Sequence, residues 1–536
     1  MSNDEPTHVV TRERDEVAIA AGELISGLIF RPWGTVSPSL YETGRMVTLA
    51  PWLTGHTARV RYLLDAQQLD GGWGQVEGYR LVPTLSATEA ILSALTGGEP
   101  GVDGEALSTA AVRGLRLLFA WLNEDPAPAL PDMPAIELIV PSLVDLINVR
   151  LDSLGEATGA LPGMPRGRLR IPSGCDDRQL EMIRSRIRSG SDVPEKLLHA
   201  LEVAGDAAAG APAVRPTSIG TVGGSPAAAA AWLGERGRLD PADPVRRHLE
   251  AVVMRHGGPV PVGFPITAFE RSWVLSALAR ARVPFEVPPE MLADLRAMIG
   301  PTGAPAGPGL PSDADTTSVA LYALALLGSP CDPGVLTAFE TGTHYCTWPG
   351  EQGFSVSVNA HVLDAFGQYV ACRPREMARY RPAIRKLSAL LRDHQAADGS
   401  WTDRWHASPF YATLCCALAL NEFGGEQSAD AVRAAVRWVL DGQREDGSWG
   451  WWEGTAEETA YALHILLMTE ARADARSRDA AARGYRYLLE ADLADALPLW
   501  HDKDLYLPVA IVRAAVLAAF QLVRRQLVVS DPYAHL

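Results

Sequence analysis

A chain of 536 residues exceeds what one hydrophobic core ordinarily holds, so two or three domains are expected. Hydrophobic residues make up 47% and charged residues 21%, the balance of a soluble globular protein. A net charge of −16 excludes a nucleic-acid binder, which needs a basic face, yet leaves room for a phosphorylated ligand held by a local group of cations.

Taken in chain order, the N-terminus (MSNDEPTHVVTRERDE) is charged and lacks the apolar stretch of a secretion signal. The six cysteines show no CxxC and no metal-ligand spacing, and adjacent Cys415 and Cys416 lie in an apolar run, as buried reduced thiols do. A cytoplasmic protein is the expectation. From there nearly every long patterned segment predicts a helix: RDEVAIAAGELISGLIF, TARVRYLLDAQQ, AAVRGLRLLFAWL, AIELIVPSLVDLI, PEKLLHALEVAG, AFERSWVLSALARA, TSVALYALALLG and ETAYALHILLM. Apolar residues recur at three- and four-residue spacing, with Pro and Gly at the joints. No run of alternating strands is found, so the fold class is all-α. The most apolar stretch, 505–523, carries Arg513 at its centre and is not read as membrane-spanning.

Three copies of QxxDGxW punctuate these helices: Gln67–Trp73, Gln395–Trp401 and Gln443–Trp449, the last two beginning 48 residues apart. That period suits one helix pair per repeat. Each motif ends one helix and precedes another containing a threonine (Thr88, Thr413, Thr459). The Gln and Trp are expected to staple neighbouring outer helices while Asp-Gly makes the turn. The proline- and glycine-rich seams 205–216 and 304–311 interrupt the pattern, and the second reads as an active-site loop because it runs directly into Asp313-Ala314-Asp315-Thr316-Thr317. The helix after this DADTT matches the last repeat (Thr317-Ser-Val-Ala-Leu beside Thr459-Ala-Tyr-Ala-Leu), which places the acids at the mouth of an inner helix.

Two carboxylates two residues apart at a helix N-terminus cannot both ionise freely in a dry site. One charge raises the other's pKa, while the helix dipole resists that rise. The product is an acid fit to protonate an alkene, and the cation so formed needs aromatic faces, for which Tyr345, Trp348, Phe354, Trp449, Trp451, Trp452 and Tyr506 are candidates. Trp348, Tyr506 and Trp452 are the ones expected to touch substrate.

With DADTT, the QxxDGxW copies and the segments SPSLYETGRM (37–46), LPDMPAIELIVPSLVD (130–145), VPEKLLHALE (193–202), FPITAFERSW (264–273), SVSVNAHVLDAF (355–366) and DKDLYLPVAIVRAAVL (502–517), the chain resembles the class II terpene cyclases. That protonation-initiated family includes copalyl diphosphate synthases and, more distantly, squalene-hopene cyclases. The resemblance implies two double α-barrel domains, one inserted in the other: 1–36 with 284–536, and 37–283 between them. It implies Asp315 as general acid, Asp313 as its neighbouring carboxylate, and His361 (with Asn359 as the fallback) as the hydrogen-bond partner of the acid. It places Glu124 and Asp125 in an acidic patch linked to Mg²⁺, with Asp132 and Glu137 weaker choices. Only three lysines stand against 45 arginines, and Lys503 and Arg513, in the matching C-terminal segment, are the expected diphosphate contacts.

Family members usually carry DxDD, and Thr316 in the last acidic place resembles drimenyl diphosphate synthases and some halimadienyl-type cyclases. The expected reaction is therefore farnesyl diphosphate to drimenyl diphosphate, with geranylgeranyl diphosphate to a copalyl- or halimadienyl-type product as the alternative. A catalytically silent α-toroid binding prenyl groups or protein partners is the reading of another class. Asp176-Asp177-Arg178-Gln179-Leu180-Glu181 resembles the metal motif of diphosphate-ionising terpene synthases but has no companion motif. The product should keep its diphosphate, for a downstream phosphatase or class I enzyme to consume.

Overall fold

Each QxxDGxW copy folds the same way, and the repeated joint sets the architecture. In this computed structural model, which describes residues 5–123, 129–156 and 163–530, the amides of Gln67, Gln395 and Gln443 donate to the motif's own glycine carbonyl at 2.8–2.9 Å. Each also donates across to the next outer helix, at Ala110, Ala431 and Ala480, at 2.9–3.0 Å. The indole N–H groups of Trp73, Trp401 and Trp449 donate back to Leu63, Leu391 and Val439. All three Trp side chains are fully buried. Asp70, Asp398 and Asp446 accept from the backbone two residues on at 3.0 Å, the Asx turn expected of Asp-Gly. The glycine between is obligatory. Gly71, Gly399 and Gly447 have φ near +90° to +100°, and a Cβ there would strike the carbonyl of Arg113, Ala434 or Arg483. The threonine that receives the Trp backbone N–H is Thr413 or Thr459 in the later copies but Thr84, not Thr88, in the first.

Two closed rings of inner helices result. In the first, Leu40–Leu49 packs on Leu81–Gly97, then Ile136–Glu156, then the 3-10 segment Glu195–Ala208, then Pro226–Leu233, which returns to Leu40–Leu49. Segment 195–208 was expected as an ordinary helix. Non-helical dihedrals at Ala200 and a positive φ at Gly205 break it into tighter turns. In the second ring Ala314–Leu326 packs on Val356–Cys372, then Pro409–Phe423, Ala456–Met468, Val509–Ser530 and Thr267–Arg280, which closes on Ala314–Leu326. The N-terminal helix Glu5–Phe30 lies against the last helix, Val509–Ser530. Helix Thr267–Arg280 falls inside the 37–283 segment but packs as a member of the second ring, so by packing the first ring ends before Thr267. Strand is confined to two short ladders among the described residues, 304–305 with 312–313 and 500–501 with 505–506. The fold is all-α, a pair of α/α barrels. No described helix is long and apolar enough to cross a membrane.

Candidate active site

The 304–305/312–313 ladder delivers the acid motif. Ala304 pairs with Asp313, and Thr317 locks the pair: its hydroxyl donates to the Asp313 carbonyl at 2.6 Å and accepts from the Ala304 N–H at 2.8 Å. Asp313 caps the helix Ala314–Leu326, its Oδ1 accepting the Thr316 N–H at 2.6 Å. Burial above all pushes the Asp313 carboxyl up to about 7, against the hydrogen bond from Thr316 and with the neighbouring Asp315 adding to the rise. Asp313 is therefore both a cap and a proton-holding group.

Asp315 is the second residue of the same helix, within its first turn. Its Oδ1 lies 2.6 Å from Nδ1 of His361, which projects from the neighbouring inner helix Val356–Cys372. Burial disfavours charge on His361, but the Asp315 carboxylate, with Cys415 adding a hydrogen bond, raises its pKa well above the ordinary value. His361 thus donates to one oxygen of the acid. Trp273 meets the imidazole edge-on at 5.5 Å, and its indole N–H donates to the Tyr411 hydroxyl at 2.9 Å. Asn359, the alternative partner, is committed elsewhere: it bridges the backbone of Tyr345 and Ser355 and makes no contact with the acid.

Asp313, Asp315 and Thr316 line a cavity of about 600 Å³ between the two barrels. One wall is aromatic: Phe264, Phe269, Trp273, Trp348, Trp405 and Trp500, with Tyr506 beside them. The lining also carries charge, with Asp132, Glu137 and Lys196 from the first barrel and Arg404 from the second. An acid facing an apolar, aromatic chamber that also presents cations is an arrangement for protonating a hydrocarbon that carries an anionic head.

Residues 353–506 match the squalene-hopene cyclase C-terminal domain family. The chain is 41% identical over 513 residues to the ent-copalyl diphosphate synthase of Streptomyces sp. (strain KO-3988), covering 94% of this chain and 96% of that protein. It is 39% identical over 528 residues to the labda-7,13-dienyl diphosphate synthase of Streptomyces clavuligerus, covering 96% and 95%. Its fold superposes on the ent-copalyl diphosphate synthase of Streptomyces platensis with a TM-score of 0.90, at 43% identity, over 95% of this chain and 99% of that one. This chain belongs to the class II terpene cyclases. It is an enzyme of the cyclising, protonation-initiated kind.

Other expected residues of the cyclase fall in different places. Trp348 and Tyr506 line the cavity. Trp452 does not: it packs edge-to-face on Tyr79 at 5.6 Å in the first barrel's core. Of the remaining aromatic candidates, Trp449 is consumed by its staple and Trp451 is largely exposed. Tyr345 and Phe354 are not among the lining residues. Lys503 is corrected most clearly. It is fully buried outside the cavity, paired with Glu42 and donating to Glu202 at 2.9 Å, Ser225 Oγ at 2.8 Å and the His199 carbonyl at 2.8 Å. Its ammonium has no proton left for a diphosphate; it ties the chain's C-terminal segment to the first barrel. Arg513, half-buried in the last helix, is likewise absent from the cavity wall. Glu124 and Asp125 lie outside the described residues. Asp176 and Asp177 open the helix Asp177–Arg188, with Asp176 as its cap and Glu181 paired to Arg184, away from the cavity.

Sequence reasoning missed the cations that do face the cavity, Lys196 and Arg404, and the aromatic wall from Phe264 to Trp273. Two segments carried the signal, since 193–202 holds Lys196 and 264–273 holds Phe264, Phe269 and Trp273. A second polar pair was also missed. His199 and Asp502 both line the cavity, joined at 2.8 Å, with the other ring nitrogen of His199 held by the Gly223 carbonyl at 2.6 Å. Burial opposes charge on both, yet each overrides it in the other, raising His199 and lowering Asp502.

Proposed function

We propose that this enzyme is a diterpene cyclase that converts geranylgeranyl diphosphate into a bicyclic diphosphate of the copalyl or labdadienyl kind. The observation that carries the reading is Asp315, held by His361, facing an aromatic chamber whose lining also holds Lys196 and Arg404. Substrate length is supported by the relatives, named for bicyclic twenty-carbon diphosphates and alike over almost the whole chain. Thr316, which pointed towards farnesyl diphosphate, serves the Asp313 cap through its N–H and hydroxyl and so carries no reading of chain length.

Asp315 gives its proton to the terminal alkene, and the π electrons form the new C–H bond and leave a tertiary cation. Two neighbouring alkenes close onto it in turn, and the second ring bears the final cation. Loss of one proton from an adjacent carbon restores an alkene, so the product is an isomer of the substrate. His361, donating to Oδ1, fixes the carboxyl so that its transferable proton sits on the other oxygen. Asp313, holding its own proton to about pH 7, keeps a second negative charge away from the acid. The aromatic wall stabilises the migrating charge by about 0.5–2 kcal/mol per ring and excludes water. The ionised Asp502 beside His199 is the polar pair on the wall that fits the departing proton, with Tyr506 within electrostatic reach of both Asp502 and Asp315.

The expected Mg²⁺ ligands Glu124 and Asp125 lie outside the described residues. Among the described residues no group of three or more His, Cys, Asp or Glu side chains can hold a metal ion. Mg²⁺ enters the reading only as a companion of the diphosphate, and no step runs through it.

Incubation with geranylgeranyl and farnesyl diphosphates, phosphatase treatment and mass-spectrometric analysis tests the reading. A bicyclic C20 alcohol from wild type is expected. Bicyclic C15 product alone would move the substrate to farnesyl diphosphate, and only linear alcohols would overturn the cyclase reading for both.

A further inference from the structure

The cations on the cavity wall are not free. Lys196, from the first barrel, is paired with Glu351 of the second, and Arg404, from the second, donates to Asp132 of the first at 3.1 Å. All four side chains line the cavity. The two pairs cross the gap between the barrels with opposite polarity, so neither barrel presents a surplus of positive charge. With Glu137 on the same wall, this cluster is net negative while the pairs are closed. An incoming diphosphate would meet repulsion.

The pairs nevertheless differ from the buried network around Lys503. Lys196 and Arg404 are 37% and 25% exposed against 0% for Lys503, and Glu351 and Asp132 are 19% and 69% exposed. Water can therefore solvate the acids when they leave, so exchange is cheap. The cations also have a second support. Lys196 stands 5.9 Å over the Trp348 ring and Arg404 5.5 Å over Trp405, and the two indoles pack edge-to-face at 5.6 Å. Those contacts hold the ammonium and guanidinium in place with their acids gone.

Resting on the prenyl diphosphate reading above, we propose that Glu351 and Asp132 are placeholder anions: they occupy Lys196 and Arg404 across the barrel gap and are displaced by the diphosphate of the substrate. The exchange opens the mouth only to a ligand with enough negative charge to compete for both cations. Prenyl alcohols and monophosphates are thereby screened out.

Inorganic pyrophosphate titrated calorimetrically into wild type, Glu351→Gln and Asp132→Asn, in chelator and again with Mg²⁺, tests this beside steady-state kinetics with geranylgeranyl diphosphate. Each neutral variant should bind pyrophosphate about two- to fivefold tighter in chelator, the scale of a half-exposed ion pair. KM should fall by the same factor, and the difference should shrink in high salt. Adding Lys196→Gln to Glu351→Gln should erase the gain. Unchanged or weaker binding by both variants in chelator overturns the proposal. So does weakening confined to Mg²⁺, which would make the acids metal ligands. If wild type cyclises while the variants bind no tighter, only the placeholder role falls; if wild type cyclises nothing, the functional reading falls with it.

Discussion

The acid and the ion pairs that cross the barrel gap, both on the cavity wall, are built on opposite principles. Around the acid, Asp313 and His361 are buried and Asp315 keeps only 18% of its side chain exposed; Asp313 is held by the Thr316 N–H and Asp315 by His361 of the adjacent inner helix, all within one barrel. At the mouth, Asp132, Lys196, Glu351 and Arg404 come from loops and a 3-10 turn of both barrels and remain partly in water. A proton donor must hold one geometry through a reaction, so its partners are packed and fixed within one barrel. A binding site for a charged head must exchange partners, so its groups are wet and reach across a gap.

Substitutions at the two sites should separate accordingly. The largest effect is expected for Asp315→Asn, which removes the transferable proton and should lower kcat by about 10³-fold or more with little change in melting temperature. His361→Ala should cost about 10²-fold in kcat, since the acid stays but loses its orientation. If both left kcat intact and raised KM, the contrast between the sites would collapse. Lys503→Ala tests the third kind of charge, neither donor nor mouth. It strands Glu42 and Glu202 and should lower stability by about 3–5 kcal/mol, read as an earlier denaturant midpoint. At the mouth, Arg404→Gln should raise KM about tenfold with kcat kept, the pattern of binding lost equally in ground and transition states.

The smallest effect is one of pH. Asp313, buried, retains its proton to about 7 where a free aspartate loses it near 3.8. A raised folded value means the favourable contribution is complete below 3.8 and is lost as pH rises through 7. Activity should therefore decline above about pH 7. Asp313→Asn keeps a helix cap and should remove that inflection in a pH–rate profile.

Much of the acid site was legible because its determinants are local. The cap, the DxD spacing and the helix period all lie within a few residues of Asp315, and His361 follows from the resemblance. The staples were legible for the same reason, down to the glycine. Even their one misplaced partner is instructive: Thr84, Thr413 and Thr459 all lie in the first turns of their helices, whereas Thr88 lies a turn deeper. Counting from the helix start finds the right threonine, and so does counting from the tryptophan, which lies 11, 12 and 10 residues before it. The mouth was illegible because it is assembled from segments up to 272 residues apart. Among three lysines, nothing local distinguishes Lys503, ringed by acids from the other barrel, from Lys196, which faces the chamber. Nor did the periodicity of helix 267–280 reveal which ring it joins, since periodicity reports an apolar face and not its neighbour.

The contact between the N-terminal helix and the last helix has a consequence in time. Glu5–Phe30 is made before both barrels, and its partner Val509–Ser530 after them. At roughly 5–20 residues per second, the apolar stripe of Val17, Ala21, Leu24, Ile25 and Leu28 waits about half a minute to two minutes for its cover. The first barrel can close in that interval, but the second cannot. During synthesis the nascent cyclase is a finished ring trailing an unsatisfied helix until Val509–Ser530 is made.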